Sequence, residues 1–167
     1  MTTYNRRMVR EKVLQALYAY ELSKEPIANI VESVLADLRE HKNDFEFAKK
    51  LINEVITHEE DLERQIKATV DHWEFERIAV IDRMLLRMGI CEMLYFEDIP
   101  PKVTINESIE VAKAFSTEKS GRFINGVLDA ILEDLRANNK LVKKGRGLIN
   151  DNIHSEQTKP RKRPKTK

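Results

Sequence analysis

Apolar residues recur along most of this chain at intervals of three and four, the spacing that places them on one face of a helix. Val9, Val13, Ala16, Leu17 and Tyr20 define such a face between about residues 5 and 22, with Asn5 placed to cap its start. Pro26 suits the first turn of a second helix that carries Ile27, Ile30, Val31, Val34, Leu35 and Leu38 and ends near His41. A third, capped by Asn43 or Asp44, carries Phe45, Ala48, Ile52, Val55 and Ile56, and a more polar fourth runs from Glu59 to Val70. Asp71-His72-Trp73-Glu74 reads as a connector whose tryptophan plugs the core.

From Arg77 to Phe96 the apolar residues exceed what one stripe needs, so this helix is expected to be central and buried on several sides. Asp98-Ile99-Pro100-Pro101 ends it, because a residue before proline is pushed out of the helical region. Thr104-Ile105-Asn106-Glu107 has the spacing of a capping box and opens a helix to Phe115, and a last helix covers about residues 118–137. Gly121 and Gly126 inside that helix point to close helix contact or backbone access. The pattern therefore predicts an all-α fold of about seven helices in one compact domain, residues 1–140. Residues 141–167 are expected to form a basic, disordered tail, since they have little to bury.

Composition agrees with that reading. A chain of 167 residues with 41% hydrophobic content can build one core, and five glycines and five prolines leave long helices uninterrupted. No stretch approaches the roughly 18 apolar residues of a membrane span, and the N-terminal arginines are followed by no apolar leader, so a cytoplasmic protein is expected. The single cysteine, Cys91, sits in an apolar helical stretch and reads as a small buried hydrophobe.

Chemistry-bearing motifs are sparse. His41, His58, His72 and His154 are scattered without metal-ligand spacing, and no phosphate-cradling glycine loop or nucleophile elbow occurs. Carboxylate pairs such as Glu59-Glu60 and Glu133-Asp134 fall on solvated faces, where nothing shifts a pKa toward acid–base work. The chain is therefore expected to be no enzyme and to need no metal or cofactor. Binding remains.

The net charge of +1 conceals a segregation. Residues 1–12 carry Arg6, Arg7, Arg10 and Lys12 against Glu11; residues 13–139 carry 15 basic and 25 acidic groups; residues 140–167 carry ten basic groups against Asp151 and Glu156. An acidic body with two basic ends can bind a polyanion locally. Cations at a helix N-terminus oppose the macrodipole, so Arg6, Arg7 and Arg10 are read either as a plain solvated helix start or as phosphate contacts, with Tyr4 and Tyr18 near enough to stack on bases. The C-terminal run from Lys159 to Lys165 is weaker evidence, because basic tails attract nucleic acid without specificity.

Four ordered blocks resemble the NusB family over roughly residues 5–136. They are Arg6-Arg7-x-x-Arg10-Glu11 with Gln15-Ala16-Leu17-Tyr18; Asp82-Arg83-x-Leu85-Leu86-Arg87 with Glu92-Met93-Leu94; Asp98-Ile99-Pro100-x-Lys102-Val103-x-Ile105-Asn106-Glu107; and Ser120-x-Arg122-Phe123-Ile124-Asn125-Gly126. The resemblance implies two three-helix bundles sharing a hydrophobic seam. It also implies a transcription antitermination factor that binds single-stranded boxA-type RNA together with ribosomal protein NusE. Such a factor works within the wider Nus factor and RNA polymerase complex, promotes read-through in ribosomal RNA operons, and self-associates in some members.

Carried over residue by residue, the RNA surface falls on Arg6, Arg7, Arg10 and Tyr18 and on the start of the last helix at Lys119, Arg122 and Phe123. Phe123 is read equally as core. Asp82 matches a partner-holding position for NusE, its plain reading being an exposed helix carboxylate. Met8 and Gly121 depart from the family pattern. The remaining alternative is a helical scaffold or accessory RNA-binding module without an antitermination role.

Overall fold

The structure, a computed structural model, describes residues 4–148. Over these it is helical throughout: α1 (Arg6–Ser23), α2 (Ile27–Val34), α3 (Lys42–Thr57), α4 (Glu59–Thr69), α5 (His72–Arg77), α6 (Val80–Tyr95), α7 (Pro101–Phe115) and α8 (Glu118–Ala137). No strand occurs among the described residues. The basic run from Lys159 lies outside them.

Local chemistry explains most boundaries. The Asn5 side chain accepts the Met8 N–H at 2.9 Å, the capping role its type favours, and Lys24 closes α1 in the left-handed region at φ 55°. Thr117 caps α8 in the same way as Asn5, accepting the Ser120 N–H at 3.1 Å.

Five boundaries differ from the sequence reading. The central helix starts at Val80 rather than Arg77, because Ile78 and Ala79 leave the helical region and Arg77 ends α5. The second helix stops at Val34 and gives way to a 3-10 turn, Ala36–Leu38, which lets Leu35 and Leu38 both reach the core. The third is preceded by His41 and has no side-chain cap, so neither Asn43 nor Asp44 fills that role.

The expected connector at residues 71–74 is the start of a short helix, opened by a capping box between Asp71 and Glu74. Trp73 lies outside the core, 59% exposed, and Phe75 takes the buried position. Finally α7 begins at Pro101, a residue preorganised for the first helical position, so Thr104 and Glu107 lie inside the helix and form no capping box.

Helices α1, α2 and α3 form one bundle and α6, α7 and α8 the other, with α4 packed on α6 and α8. α6 is the shared element, touching α1, α3, α4, α7 and α8. Its residues from Met84 to Met93 are all buried, as the apolar density of that segment predicts. Gly89 marks its tightest crossing: a methyl group there would lie 3.0 Å from Leu128 of α8 and 3.4 Å from Ser108 Oγ of α7. Arg87 reaches from α6 to Glu59 and Glu63, tying α4 to the seam.

Beyond α8 the chain folds back along α6, so residues 141–148, expected as part of a disordered tail, instead pack against that helix. Lys143 Nζ donates to the carbonyls of Glu92 and Phe96 at 3.1 and 2.7 Å, a second donor on acceptors that already take the Phe96 and Ile99 N–H groups. The Lys144 N–H donates to Glu97 O at 3.0 Å, and a Cβ on Gly147 would meet that same oxygen at 2.1 Å, so only glycine allows the approach. Its last described residues form a 3-10 turn, Gly145–Leu148.

Candidate nucleic-acid interface

The three arginines at the start of α1 diverge onto three different helices, and each meets one carboxylate. Arg6 Nε lies 3.5 Å from Asp44 of α3, and its guanidinium rests 4.2 Å above the Phe47 ring. Arg7 forks onto Glu107 of α7, with Nε donating to Oε2 at 2.8 Å and Nη2 to Oε1 at 3.1 Å. Arg10 turns inward and forks onto Glu92 of α6, at 2.6 Å from Nη2 to Oε1 and 3.0 Å from Nε to Oε2.

These pairs differ in solvation, and therefore in what they can do. Arg6 and Arg7 are about half exposed, at 47% and 46% of their side chains. Arg10 is 4% exposed, so its charge faces Glu92 rather than solvent. Burial works against that charge, and the Glu92 carboxylate more than offsets it, holding the guanidinium further above its ordinary range. Thr104 Oγ1 completes the arrangement by donating to Glu92 at 3.4 Å. On the surface, the hydrogen bonds from Arg7 hold the Glu107 carboxyl below its ordinary value.

Tyr18 follows Arg7 by eleven residues, close to three helical turns, so both lie on one face of α1 about 16 Å apart along its axis. Tyr18 is 39% exposed.

The second cluster forms at the N-terminus of α8. Lys119 and Arg122 are exposed, and Phe123 is half-buried against the core. Lys119, Ser120 and Phe123 share a groove of about 340 Å³ with Trp73 and Arg77 of α5 and with Asp82 of α6. Asp82 is 7% exposed rather than a solvated helix carboxylate. Its Oδ2 accepts the Ser120 hydroxyl at 2.9 Å, while its buried Oδ1 has no partner. Its place in the first turn of α6 suits a negative charge.

Helix α7 connects the two clusters. Its Glu107 meets Arg7, and its Ile109 and Lys113 lie against Gly121 near the start of α8, where a Cβ would be 3.4 Å from the Ile109 side chain. Gly126, by contrast, would have nothing within 4 Å of an added Cβ, so only the first of the two glycines marks a close helix crossing.

Several participants carry no signal of this role in the sequence pattern. Capping-box spacing puts Glu107 in a cap, size puts Trp73 in the core, and Arg77 stands out only by its charge. A larger groove of about 860 Å³ opens beside Arg6, lined by Phe47, Lys50, Phe96, Pro100 and Arg146. Lys50 sits 4.3 Å above the Phe96 ring there. Among the described residues no group of His, Cys, Asp or Glu is arranged to hold a metal ion, and no helix is long and apolar enough to cross a membrane.

The fold and these clusters define a class: a small two-bundle helical protein with a cationic helix start flanking its central seam. The NusB family model matches residues 7–133, and the chain belongs to that family. A transcription antitermination protein NusB of Chloroherpeton thalassium is 45% identical over 150 residues, covering 87% of this chain and 69% of the relative. One of Salinibacter ruber is 44% identical over 146 residues, covering 87% and 91%.

Among solved structures, NusB of T. maritima superposes with a TM-score of 0.71 at 34% identity, covering 80% of this chain and 94% of that one. A crystal structure of the antitermination factors NusB and NusE in complex with double-stranded RNA gives 0.66 at 27% identity, covering 77% and 96%.

Proposed function

We propose that this chain is a transcription antitermination factor that binds boxA-type single-stranded RNA jointly with ribosomal protein NusE and promotes read-through by RNA polymerase in ribosomal RNA operons. The observation that carries the reading is the pair of half-exposed arginines, Arg6 and Arg7, held at a helix N-terminus where positive charge is locally unfavourable. Membership in a family whose relatives bear the antitermination name supplies the process. The protein acts by binding, without catalysis, in the cytoplasm.

In this reading Arg6 and Arg7 contact RNA from α1, and Tyr18 stacks on an unpaired base. Lys119, Arg122 and Phe123 extend the contact across the start of α8. Arg10 belongs to the same cluster as a positioning residue: its pair with Glu92 fixes the α1 start against α6. Asp82 holds NusE from the α5–α6 side of the groove that Lys119 and Phe123 border.

The test is a titration of a boxA-like single-stranded RNA, a scrambled strand and a duplex of the same sequence, each with and without NusE, across a salt series. Tighter binding of the boxA-like strand, strengthened by NusE, supports the reading. Equal affinity for all three RNAs, or no effect of NusE, refutes it. A homodimer that dissociates when NusE is added is compatible with a shared partner surface.

A further inference from the structure

Arg6 and Arg7 are neighbours with nearly equal exposure, yet they are held in unlike ways. Arg6 makes one long contact with Asp44 and lies flat on Phe47, so most of its donors stay free beside an open groove. Arg7 has both its Nε and one Nη2 hydrogen committed to Glu107. A guanidinium has five N–H donors, and this fork leaves the outer Nη2 hydrogen and one Nη1 hydrogen side by side on the end edge, with the second Nη1 hydrogen turned toward the side-chain stem.

The charge around Arg7 is unsuited to phosphate. Its pair with Glu107 is net neutral, and Glu11, one turn along α1, and Glu110, near Glu107 on α7, both act on it as further negative charges. A phosphate approaching the free edge meets Glu107, Glu11 and Glu110 behind Arg7, while Arg6 and Arg10, which line the same pocket, each already face a carboxylate of their own. Uncharged acceptors on a base carry no such penalty. Guanine presents O6 and N7 together on one edge, at the spacing an arginine fork accepts, and unpaired RNA leaves that edge open. The bidentate brace also fixes the guanidinium plane before RNA arrives, which removes part of the ordering cost.

We infer that Arg7, braced by Glu107, reads the O6/N7 edge of an unpaired guanine rather than neutralising a phosphate. Glu107 is then a positioning residue for base recognition, and Arg6 is the phosphate contact of the pair. The inference rests on the RNA-binding reading above.

The experiment titrates the full chain with NusE against a boxA-like strand in which each purine in turn is replaced by its 7-deaza analogue, which lacks the N7 acceptor. One guanine position is expected to lose about tenfold in affinity, the scale of a lost bidentate base contact. Arg7→Ala should lose a similar factor on the unmodified strand and be indifferent to that replacement. Glu107→Ala should blunt the same sensitivity although the arginine charge remains. The salt slope should stay unchanged in Arg7→Ala and fall by about one in Arg6→Ala.

The inference is overturned if no 7-deaza position matters, if Arg7→Ala lowers the salt slope by about one, or if Glu107→Ala raises affinity for every strand. Wild-type protein that fails to prefer the boxA-like strand overturns the functional reading as well. A preference without 7-deaza sensitivity overturns this inference alone.

Discussion

Glu92 in the last turn of α6 closes on Arg10 of α1 at 2.6 Å, with the two side chains 1% and 5% exposed. The pair crosses from one bundle to the other beneath the surface on which Arg6 and Arg7 stand. It is what turns a helix start into a fixed platform.

Breaking that pair from either side strands a buried charge, which typically costs about 3–5 kcal/mol. Glu92→Ala and Arg10→Ala are each expected to lower unfolding stability by that order in urea titrations. The Arg10→Met, Glu92→Leu double variant should recover most of the loss, because an apolar pair removes both desolvation penalties. If Arg10→Ala leaves stability unchanged, the positioning role assigned to Arg10 is wrong.

Asp82 is held by Ser120 through one oxygen only. Asp82→Asn keeps the shape and an acceptor for that hydroxyl while removing the charge. It is expected to weaken NusE binding about tenfold in calorimetry, the scale of a charge-assisted hydrogen bond of roughly 1.5–3 kcal/mol. Far-ultraviolet circular dichroism should stay unchanged. Undiminished NusE affinity in the folded variant contradicts the partner assignment.

Glu107 supplies a pH signature. Its folded pKa lies below the ordinary value of 4.5, so its ion pair with Arg7 contributes fully above 4.5 and is lost as pH falls through the lower folded value. The stability difference between wild type and Glu107→Gln should therefore be flat above pH 4.5 and shrink as the solution is acidified further. A difference that grows on acidification would mean the pair does not form as described.

The sequence exposes the features governed by short-range rules. The apolar density from Met84 to Met93 is enough to make α6 central, and Asn5 and the 118–137 periodicity locate two helices closely. The cationic start of α1 is legible because its charge opposes the dipole.

Other features depend on distant residues. Nothing near Arg10 announces Glu92, which lies 82 positions away, so a buried structural arginine and an exposed binding one look alike in sequence. Glu107 is hidden for another reason: Thr104 and Glu107 have capping-box spacing, but Pro101 starts the helix three residues earlier and leaves Glu107 free to meet Arg7. Size alone places Trp73 in the core, whereas the capping box of Asp71 and Glu74 turns its segment into a helix that buries Phe75 instead.

RNA binding as proposed needs one surface formed from α1 and α8 together. The most direct measurement is the affinity of the NusE-bound Arg6→Glu, Lys119→Glu double variant for boxA-like single-stranded RNA, with circular dichroism confirming that it folds. Reversing two phosphate-facing charges should lower affinity at least about tenfold and flatten the salt dependence. Wild-type affinity with a wild-type salt slope in the folded variant would contradict it.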